Sequence, residues 1–284
     1  MGPATPEAGP APEPVLARTW ARLMARPCHV PRASPPPRLD RRIGSSRPDG
    51  TVAAATRKPE PVRLNPPPLR RRRLLVAASA AWPRGGRANA DAALDPASPE
   101  GGALVARLRE GGLVLFIRHA DTAGEPCDRG FRVGDRSGQR NISPAGRRQA
   151  AAIGPALATL GVPVAFPVLA GPVFRARDTA ELAFGAERVQ VVEGLTADDY
   201  AGDRLDWILR EHRRLFAVPV PAGTNRVLVG HRGPVQMILG DRVRCTRLPE
   251  AGALALEPKG AAGFAALGVL AAVPRIGDGD PGCR

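Results

Sequence analysis

Short apolar runs alternate with amphipathic helical segments between about residues 110 and 270. The runs at 113–117, 168–170, 189–192 and 227–229 predict buried strands, and weaker runs at 252–257 and 264–270 predict two more. Helices are predicted after Ser143-Pro144, over 173–184 and over 203–216. This alternation predicts an α/β fold of three layers, with a mostly parallel central sheet flanked by helices.

Basic charge and proline divide the chain near residue 90. Residues 1–90 hold 17 Lys and Arg against 5 Asp and Glu, a net charge of +12, whereas residues 91–284 hold 24 against 22, a net charge of +2. The first 90 residues also carry 17 of the 32 prolines. The basic character therefore belongs to the N-terminal third, and no nucleic-acid partner is expected for the body. Nucleic-acid binding through residues 1–90 stays as an alternative, which a steep salt dependence would support.

The N-terminal third reads as two segments that precede a folded domain over 91–284. Residues 1–69 are predicted to be a disordered Pro/Arg-rich extension, a composition that a start codon assigned too far upstream would also explain. Four arginines at 70–73, an apolar stretch to Trp82 and Ala88-Asn89-Ala90 follow in the order of an export signal of the twin-arginine kind. An Arg/Ala-rich linker is the alternative. A real signal at 70–90 predicts a periplasmic or secreted protein without a stable membrane span after processing; otherwise the protein is cytoplasmic.

Polar residues capable of binding an anion follow three of the predicted strands. Arg118-His119-Ala120 follows the first, Gly171-Pro172 with Arg175 follows the second, and Gly230-His231 follows the fourth. Because ligands of open α/β sheets bind beyond the carboxyl ends of the strands, these side chains are expected at one edge. The set is positive and poor in acceptors, as a phosphoryl group requires. No carboxylate cluster or Cys/His spacing indicates a metal site, so no metal or cofactor is expected.

These motifs resemble the histidine phosphatase superfamily, which has the phosphoglycerate mutase-like fold, and specifically a small exported-type branch. The resemblance covers about residues 110–271 and includes the segments 140–146 and 171–180 between the two histidine motifs. It implies that His119 is the nucleophile and forms a phosphohistidine. It also implies that Arg118, Arg175 and His231 bind the phosphoryl oxygens.

The resemblance further implies a carboxylate after the third strand that protonates the leaving group. Glu193, Asp198 and Asp199 all fall there, with a slight preference for the two aspartates, which lie farther from the strand. Gly171 departs from the usual Ser and is expected to loosen the turn before Arg175. Arg232 departs from the small residue that is common after the second histidine, and it could add a phosphate contact or narrow the mouth of the pocket.

The sequence thus predicts a metal-independent phosphomonoesterase or phosphohistidine phosphatase. Its partner would be a small phosphorylated substrate or a phosphohistidine protein. Fewer than sixty residues separate Arg175 from His231, too few for a large cap, which argues against a cofactor-dependent mutase. A catalytically weak phosphate-binding protein of the same fold is the alternative.

Three side chains outside this set are assigned structural roles. His212 lies on the apolar stripe of its helix and is expected in the core, and Arg177 is expected to pair with Glu181 four residues later. Cys127 is expected to pair with Cys245 or Cys283 if the protein is exported, or to be an ordinary loop cysteine.

Overall fold

The computed structural model contains a six-stranded sheet. It describes residues 92–124, 127–244 and 247–276, so the predicted extension at 1–69 and the predicted signal at 70–90 lie outside the described residues. The strands are β1 (Val114–Arg118), β2 (Val164–Ala170), β3 (Val189–Val191), β4 (Asn225–Gly230), β5 (Ala253–Pro258) and β6 (Phe264–Leu270). All six predicted strands are confirmed, with β2 and β4 longer than the apolar runs indicated.

The strands lie in the order β3-β2-β4-β1-β5-β6. The first four in this order pair in parallel, and β5 and β6 are antiparallel additions beside β1. In the register of β1 with β4, Ile117 lies opposite Val229 and Arg118 opposite Gly230. The mostly parallel sheet is therefore confirmed, and β1 and β4 end side by side.

Five helices flank the sheet: α1 (Pro99–Arg109), α2 (Pro144–Thr159), α3 (Phe174–Phe184), α4 (Leu205–Ala217) and α5 (Arg232–Leu239). The predicted helices correspond to α2, α3 and α4. α1 was not predicted although its start signal is present: Ser98 accepts a hydrogen bond from the Gly101 amide at 3.0 Å and Pro99 follows it. α5 was not predicted either; it begins after β4 and His231 and has only eight residues. Within the described residues, none of the helices combines the length and apolarity that a membrane span needs.

The three layers follow from the burial of β1 on both faces. Leu115 and Ile117 pack with buried side chains of α1, α2 and α3, whereas Val114 and Phe116 pack with those of α4 and α5. A strand covered on both sides has no solvent-facing positions, so its sequence is apolar without alternation. This explains why the run at 113–117 reads as continuous.

The start of α2 is attached to the loop that follows β1. Ser143 caps the helix by accepting a hydrogen bond from the Gly146 amide at 2.8 Å, and its own amide donates to the Asp121 carbonyl at 2.9 Å. The Ser143 hydroxyl also donates to the Asp121 carboxylate. The loop beyond β1 is therefore held by the helix cap.

Candidate functional site

The carboxyl ends of β1, β4 and β2 bring four of the predicted residues together. The imidazole rings of His119 and His231 have centroids 5.4 Å apart. Arg118, His119, Arg175 and His231 are each at most 5% exposed. Because β4 lies between β1 and β2, His231 stands between the nucleophile candidate and the arginine that opens α3.

His119 has a fixed tautomer. Its Nδ1 lies 2.9 Å from the Ala120 carbonyl oxygen, which can only accept, so Nδ1 carries the proton and Nε2 the lone pair. Burial lowers the pKa of His119 well below its usual value, and the charges of Arg118 and Arg175 lower it further. The ring is therefore neutral at neutral pH with a nucleophilic nitrogen available.

His231 differs in having two open ring nitrogens. Both are buried, and neither has a hydrogen-bond partner in the described part of the chain. Burial lowers the pKa of this ring well below its usual value, with the charge of Arg175 the next cause. A buried polar group without a partner is uncommon in folded proteins. A bound anion that accepts from the ring would remove this deficit.

Arg175 is held on one side and open on the other. Its Nη1 lies 2.8 Å from Oδ2 of Asp128, while its buried Nε has no partner among the described residues. Asp128 also accepts from the Tyr200 hydroxyl at 2.5 Å and from the Arg140 amide at 2.8 Å. Burial acts to raise the pKa of Asp128, but the charge of Arg175 and the Tyr200 hydrogen bond outweigh it and the pKa is lowered. Asp128 is therefore an ionised anchor for the guanidinium.

Arg118 is held by a backbone carbonyl and a carboxylate. Its Nη1 donates to the Leu248 carbonyl at 3.1 Å, and its Nη2 lies 3.5 Å from Oε1 of Glu250. Thr122 donates its hydroxyl to the same carboxylate oxygen at 3.3 Å. Arg140 belongs to this group of charges, because its pKa is lowered first by burial and then by Arg175. The site is therefore strongly cationic, with Asp128 paired to Arg175 and Glu250 beside Arg118.

Four residues of the site were missed by the sequence analysis: Asp128, Arg140, Tyr200 and Glu250. Arg140 stood inside one of the quoted motifs, so its signal was available. The other three lie in loops or short turns, where neither spacing nor periodicity marks them.

The carboxylates predicted as acids lie in different places. Glu193 is on the surface, with its side chain 67% exposed and its Oε2 2.7 Å from Arg204, so the structure does not bring it into the pocket. Asp198 packs against the first turn of α5, so closely that a Cβ on Gly233 would come within 2.0 Å of its Oδ1. Asp199 follows in the same short 3-10 turn and is half-buried. The choice between the two aspartates stays open.

The departure at Gly171 has a steric reason. A Cβ at this position would lie 2.3 Å from the Leu195 carbonyl oxygen, and the Gly171 amide donates to the Val229 carbonyl at 2.9 Å. Glycine therefore allows a close approach of two backbones here, and the loosened turn before Arg175 stays a prediction. Arg232 begins α5 and is half-buried beside His231.

Two of the three assignments outside the pocket are confirmed. His212 is fully buried, with Nδ1 donating to the Ile208 carbonyl at 2.9 Å, which confirms a place in the core. Arg177 pairs with Glu181 at 2.7 Å as predicted. Cys127 is disulfide-bonded, and the other cysteines lie outside the described residues. The described ranges contain no group of three His, Cys, Asp or Glu side chains arranged to hold a metal ion.

Comparison with known proteins gives one family match. The model of the histidine phosphatase superfamily, branch 1, matches residues 114–208. No curated protein matches the chain at a significant level.

Among solved structures whose backbone follows a similar path, three align with this chain over most of their own length. A structure of the protein histidine phosphatase SixA complexed with tungstate has 15% identity and a TM-score of 0.38, covering 56% of this chain and 96% of its own. TTHB049 from Thermus thermophilus has 20% identity and a TM-score of 0.39, covering 59% and 99%. A mycobacterial glucosyl-3-phosphoglycerate phosphatase has 20% identity and a TM-score of 0.33, covering 51% and 89%.

The matched range 114–208 includes β1 with Arg118-His119, the start of α3 with Arg175 and the turn that carries Asp198 and Asp199. The second histidine lies beyond the matched range, on β4, where the sheet places it beside the first. Over residues 114–208, this chain is therefore similar to the histidine phosphatase superfamily, branch 1.

Proposed function

We propose that this protein is a metal-independent phosphatase that acts through a phosphohistidine at His119. The observation that carries the proposal is the hydrogen bond from Nδ1 of His119 to the Ala120 carbonyl, within a pocket of buried cationic side chains. It leaves the Nε2 lone pair free for attack, while Arg118, Arg175 and His231 supply donors for three phosphoryl oxygens.

The first step transfers the phosphoryl group to the enzyme. Nε2 of His119 forms a bond to phosphorus as the bond from phosphorus to the leaving oxygen or nitrogen breaks. The leaving atom departs with the electron pair and takes up a proton. Charge spread over the equatorial oxygens is stabilised by Arg118 and Arg175, whose orientations are set by Leu248 and Asp128 before substrate arrives.

The second step returns the enzyme to its starting state. A water attacks phosphorus in line with the N–P bond, and the bonding pair returns to Nε2 as inorganic phosphate forms. The Nδ1 proton stays on the ring, donated to the Ala120 carbonyl throughout, so the ring resumes the same tautomer. His119 therefore needs no proton transfer of its own between turnovers.

The carboxylates anchored at the pocket do not favour strong acid catalysis. Asp128 is ionised because Arg175 and Tyr200 lower its pKa, so it cannot give a proton to a leaving group. The donor falls to Asp198 or Asp199, of which Asp198 is packed against α5. Substrates whose leaving groups need little protonation, such as phosphohistidine or acidic phosphomonoesters, therefore suit the site best.

Rapid quench with ³²P-labelled substrate tests the function directly. Wild-type protein should give a phosphoenzyme that is labile in acid and stable in alkali, and His119→Ala should lose both label and turnover. Turnover of p-nitrophenyl phosphate should persist in EDTA. Phosphate binding without turnover would instead support the weak phosphate-binding alternative.

A series of aryl phosphates with different leaving-group pKa values measures how strongly the reaction depends on a general acid. If the acid is weak, log kcat/KM should fall steeply as the leaving-group pKa rises. A flat dependence would show an effective acid, and comparison of Asp198→Asn with Asp199→Asn would then identify it. Glu193→Gln is the matched surface control.

We also propose that the mature protein lies outside the cytoplasm. The signal-like order of residues 70–90 supports this, and so does the Cys127 disulfide, because disulfides persist mainly in oxidising compartments. N-terminal sequencing of protein from fractionated cells should give Asp91 as the first residue in the exported fraction. A cytoplasmic protein that retains residues 1–90 would overturn the proposal and reopen nucleic-acid binding through that segment.

A further inference from the structure

Glu250 holds a position that phosphoryl binding alone does not require. Its side chain is only 12% exposed, and its Oε1 lies 3.9 Å from Nδ1 of His119 as well as 3.5 Å from Nη2 of Arg118. Thr122 fixes the same oxygen from the loop after β1. A carboxylate here opposes the binding of a phosphate anion, because like charges at this range repel. We therefore expect the Glu250 carboxylate to stabilise some other state of the reaction.

The charge that needs compensation appears on His119 during the reaction. The ring is neutral before attack, and the Ala120 carbonyl holds the proton on Nδ1. When Nε2 gives its lone pair to phosphorus, that proton stays, so the phosphorylated ring becomes a cation. The charges of Arg118 and Arg175 already oppose protonation of this ring in the free enzyme. The intermediate would thus add a cation to a cationic pocket.

We propose that Glu250 is a positioning residue whose carboxylate balances the charge of the phosphorylated His119 ring. The inference rests on the proposed function, since it concerns the same intermediate. The carboxylate approaches the Nδ1 side of the ring, away from Nε2 and the phosphoryl group. It can therefore stabilise the imidazolium while it also pairs with Arg118.

The arrangement of neighbours supports a role on the ring and not a surface ion pair. Arg118 on β1 pairs with Glu250, and Thr122 in the following loop donates a hydrogen bond to it. The charge of Glu250 also acts to raise the pKa of Arg140, which lies in the loop before α2. Glu250 directly precedes Ala251, whose amide donates to the His119 carbonyl at 3.0 Å. The backbone that carries Glu250 is thus joined to the nucleophile's own residue.

The proposal predicts opposite changes in the two chemical steps. Without the carboxylate, phosphorylation of His119 should slow, and the phosphoenzyme, being less stabilised, should transfer its phosphoryl group to water faster. An opposite charge near a titrating group shifts its equilibrium by about 1 to 3 pKa units. Since Arg118 shares this carboxylate, we expect about a tenfold slower phosphorylation. The steady-state ratio of phosphoenzyme to unphosphorylated enzyme should fall by more than this factor, because dephosphorylation becomes faster as well.

Single-turnover and burst kinetics on Glu250→Gln test this. The variant should slow phosphorylation and speed dephosphorylation, and Glu250→Asp should restore part of both rates. Glu257→Gln, on β5 with its side chain 39% exposed and paired to Lys259, is the matched control and should behave as wild type. Slowing of both steps in Glu250→Gln would show a purely structural role and overturn the inference, as would unchanged rates. Absence of any phosphoenzyme in wild type would instead overturn the proposed function.

Discussion

His119 and His231 occupy equivalent places at the ends of adjacent parallel strands, yet their rings are prepared differently. Both are buried and both have a lowered pKa, chiefly through burial. His119 has its Nδ1 bound to the Ala120 carbonyl, whereas neither ring nitrogen of His231 has a partner in the described residues. Burial is the main cause of the lowered pKa in both rings, so hydrogen bonding is the clearest difference between them.

This difference supports different proposed roles for the two rings. A nucleophile must present a lone pair in a fixed direction, and a backbone carbonyl on the opposite nitrogen enforces this. A phosphate ligand must present an N–H to an anion, and an unpartnered ring is free to do so when the anion arrives. The comparison therefore supports the proposal that His119 attacks phosphorus and that His231 binds the phosphoryl oxygens.

The largest effect should come from exchanging the two histidines for alanine one at a time. His119→Ala should lose turnover by about 10⁴-fold or more, with no label, because the covalent route is removed. His231→Ala should lose about 10²- to 10³-fold, as for other lost oxyanion donors, while still forming labelled phosphoenzyme. Rapid quench on both variants measures this. Labelling of His119→Ala but not of His231→Ala would reverse the assignment.

The next effect concerns the guanidinium that faces His231. Arg175→Lys should lower kcat/KM by about 10²-fold, because a point charge cannot span Asp128 and the phosphoryl oxygens together. Asp128→Asn should also reduce kcat/KM, since it releases the same guanidinium. Arg177→Ala, two residues later and paired only with Glu181 on the surface, is the control and should be nearly neutral. Wild-type kinetics in Arg175→Lys would show that Arg175 does not bind the phosphoryl group.

The strand ends that carry this comparison were predictable from sequence, and their hydrogen bonding was not. The run at 113–117 and the one at 227–229 were apolar without alternation, as strands buried on both faces are, and polar residues followed each directly. The parallel register then placed Arg118 opposite Gly230, one residue before His231. The carbonyl that fixes His119 depends on the local turn of the backbone, which side-chain spacing does not encode.

The carboxylates of the site were the least predictable part. Asp128 and Glu250 lie in loops and reach Arg175 and Arg118 across sequence separations of 47 and 132 residues. Glu193 follows β3 more closely than Asp198 does, yet its side chain faces solvent. Distance along a loop does not tell which way its side chains point, so only tertiary contacts separate these acids.

A smaller effect is expected at Gly171, where the backbone lies close to the Leu195 carbonyl. Gly171→Ser would restore the residue that the superfamily usually has, but its Cβ would meet the Leu195 carbonyl at 2.3 Å. Relief of this clash must move the turn whose amide binds Val229, two residues before His231. We expect a loss of about 1–3 kcal/mol of unfolding free energy, as for other overpacked sites, measured by urea denaturation. Gly102→Ser, where a Cβ meets only one atom at 3.8 Å, is the control. A stable Gly171→Ser with higher activity would contradict the tight turn.

The smallest predicted effect concerns His212, which should change the pH dependence of stability and the pKa of His231 but not that of His119. Burial lowers the pKa of His212 to about 4, and the charge of His212 in turn lowers the pKa of His231 but is not among the causes for His119. Since the unfolded chain binds the proton of His212 with a pKa near 6.5 and the folded chain does not, unfolding free energy should fall as pH drops from about 6.5 towards 4. The slope for this one residue is at most about 1.4 kcal/mol per pH unit. His212→Leu should flatten the pH dependence by that amount, whereas Arg213→Leu, exposed on the same helix, should not.

In ¹⁵N NMR titrations of the ring nitrogens, His212→Leu should raise the pKa of His231 and leave that of His119 in place. Equal movement of both would mean that the two rings share one electrostatic environment, and the distinction between them would then rest on the Ala120 hydrogen bond alone.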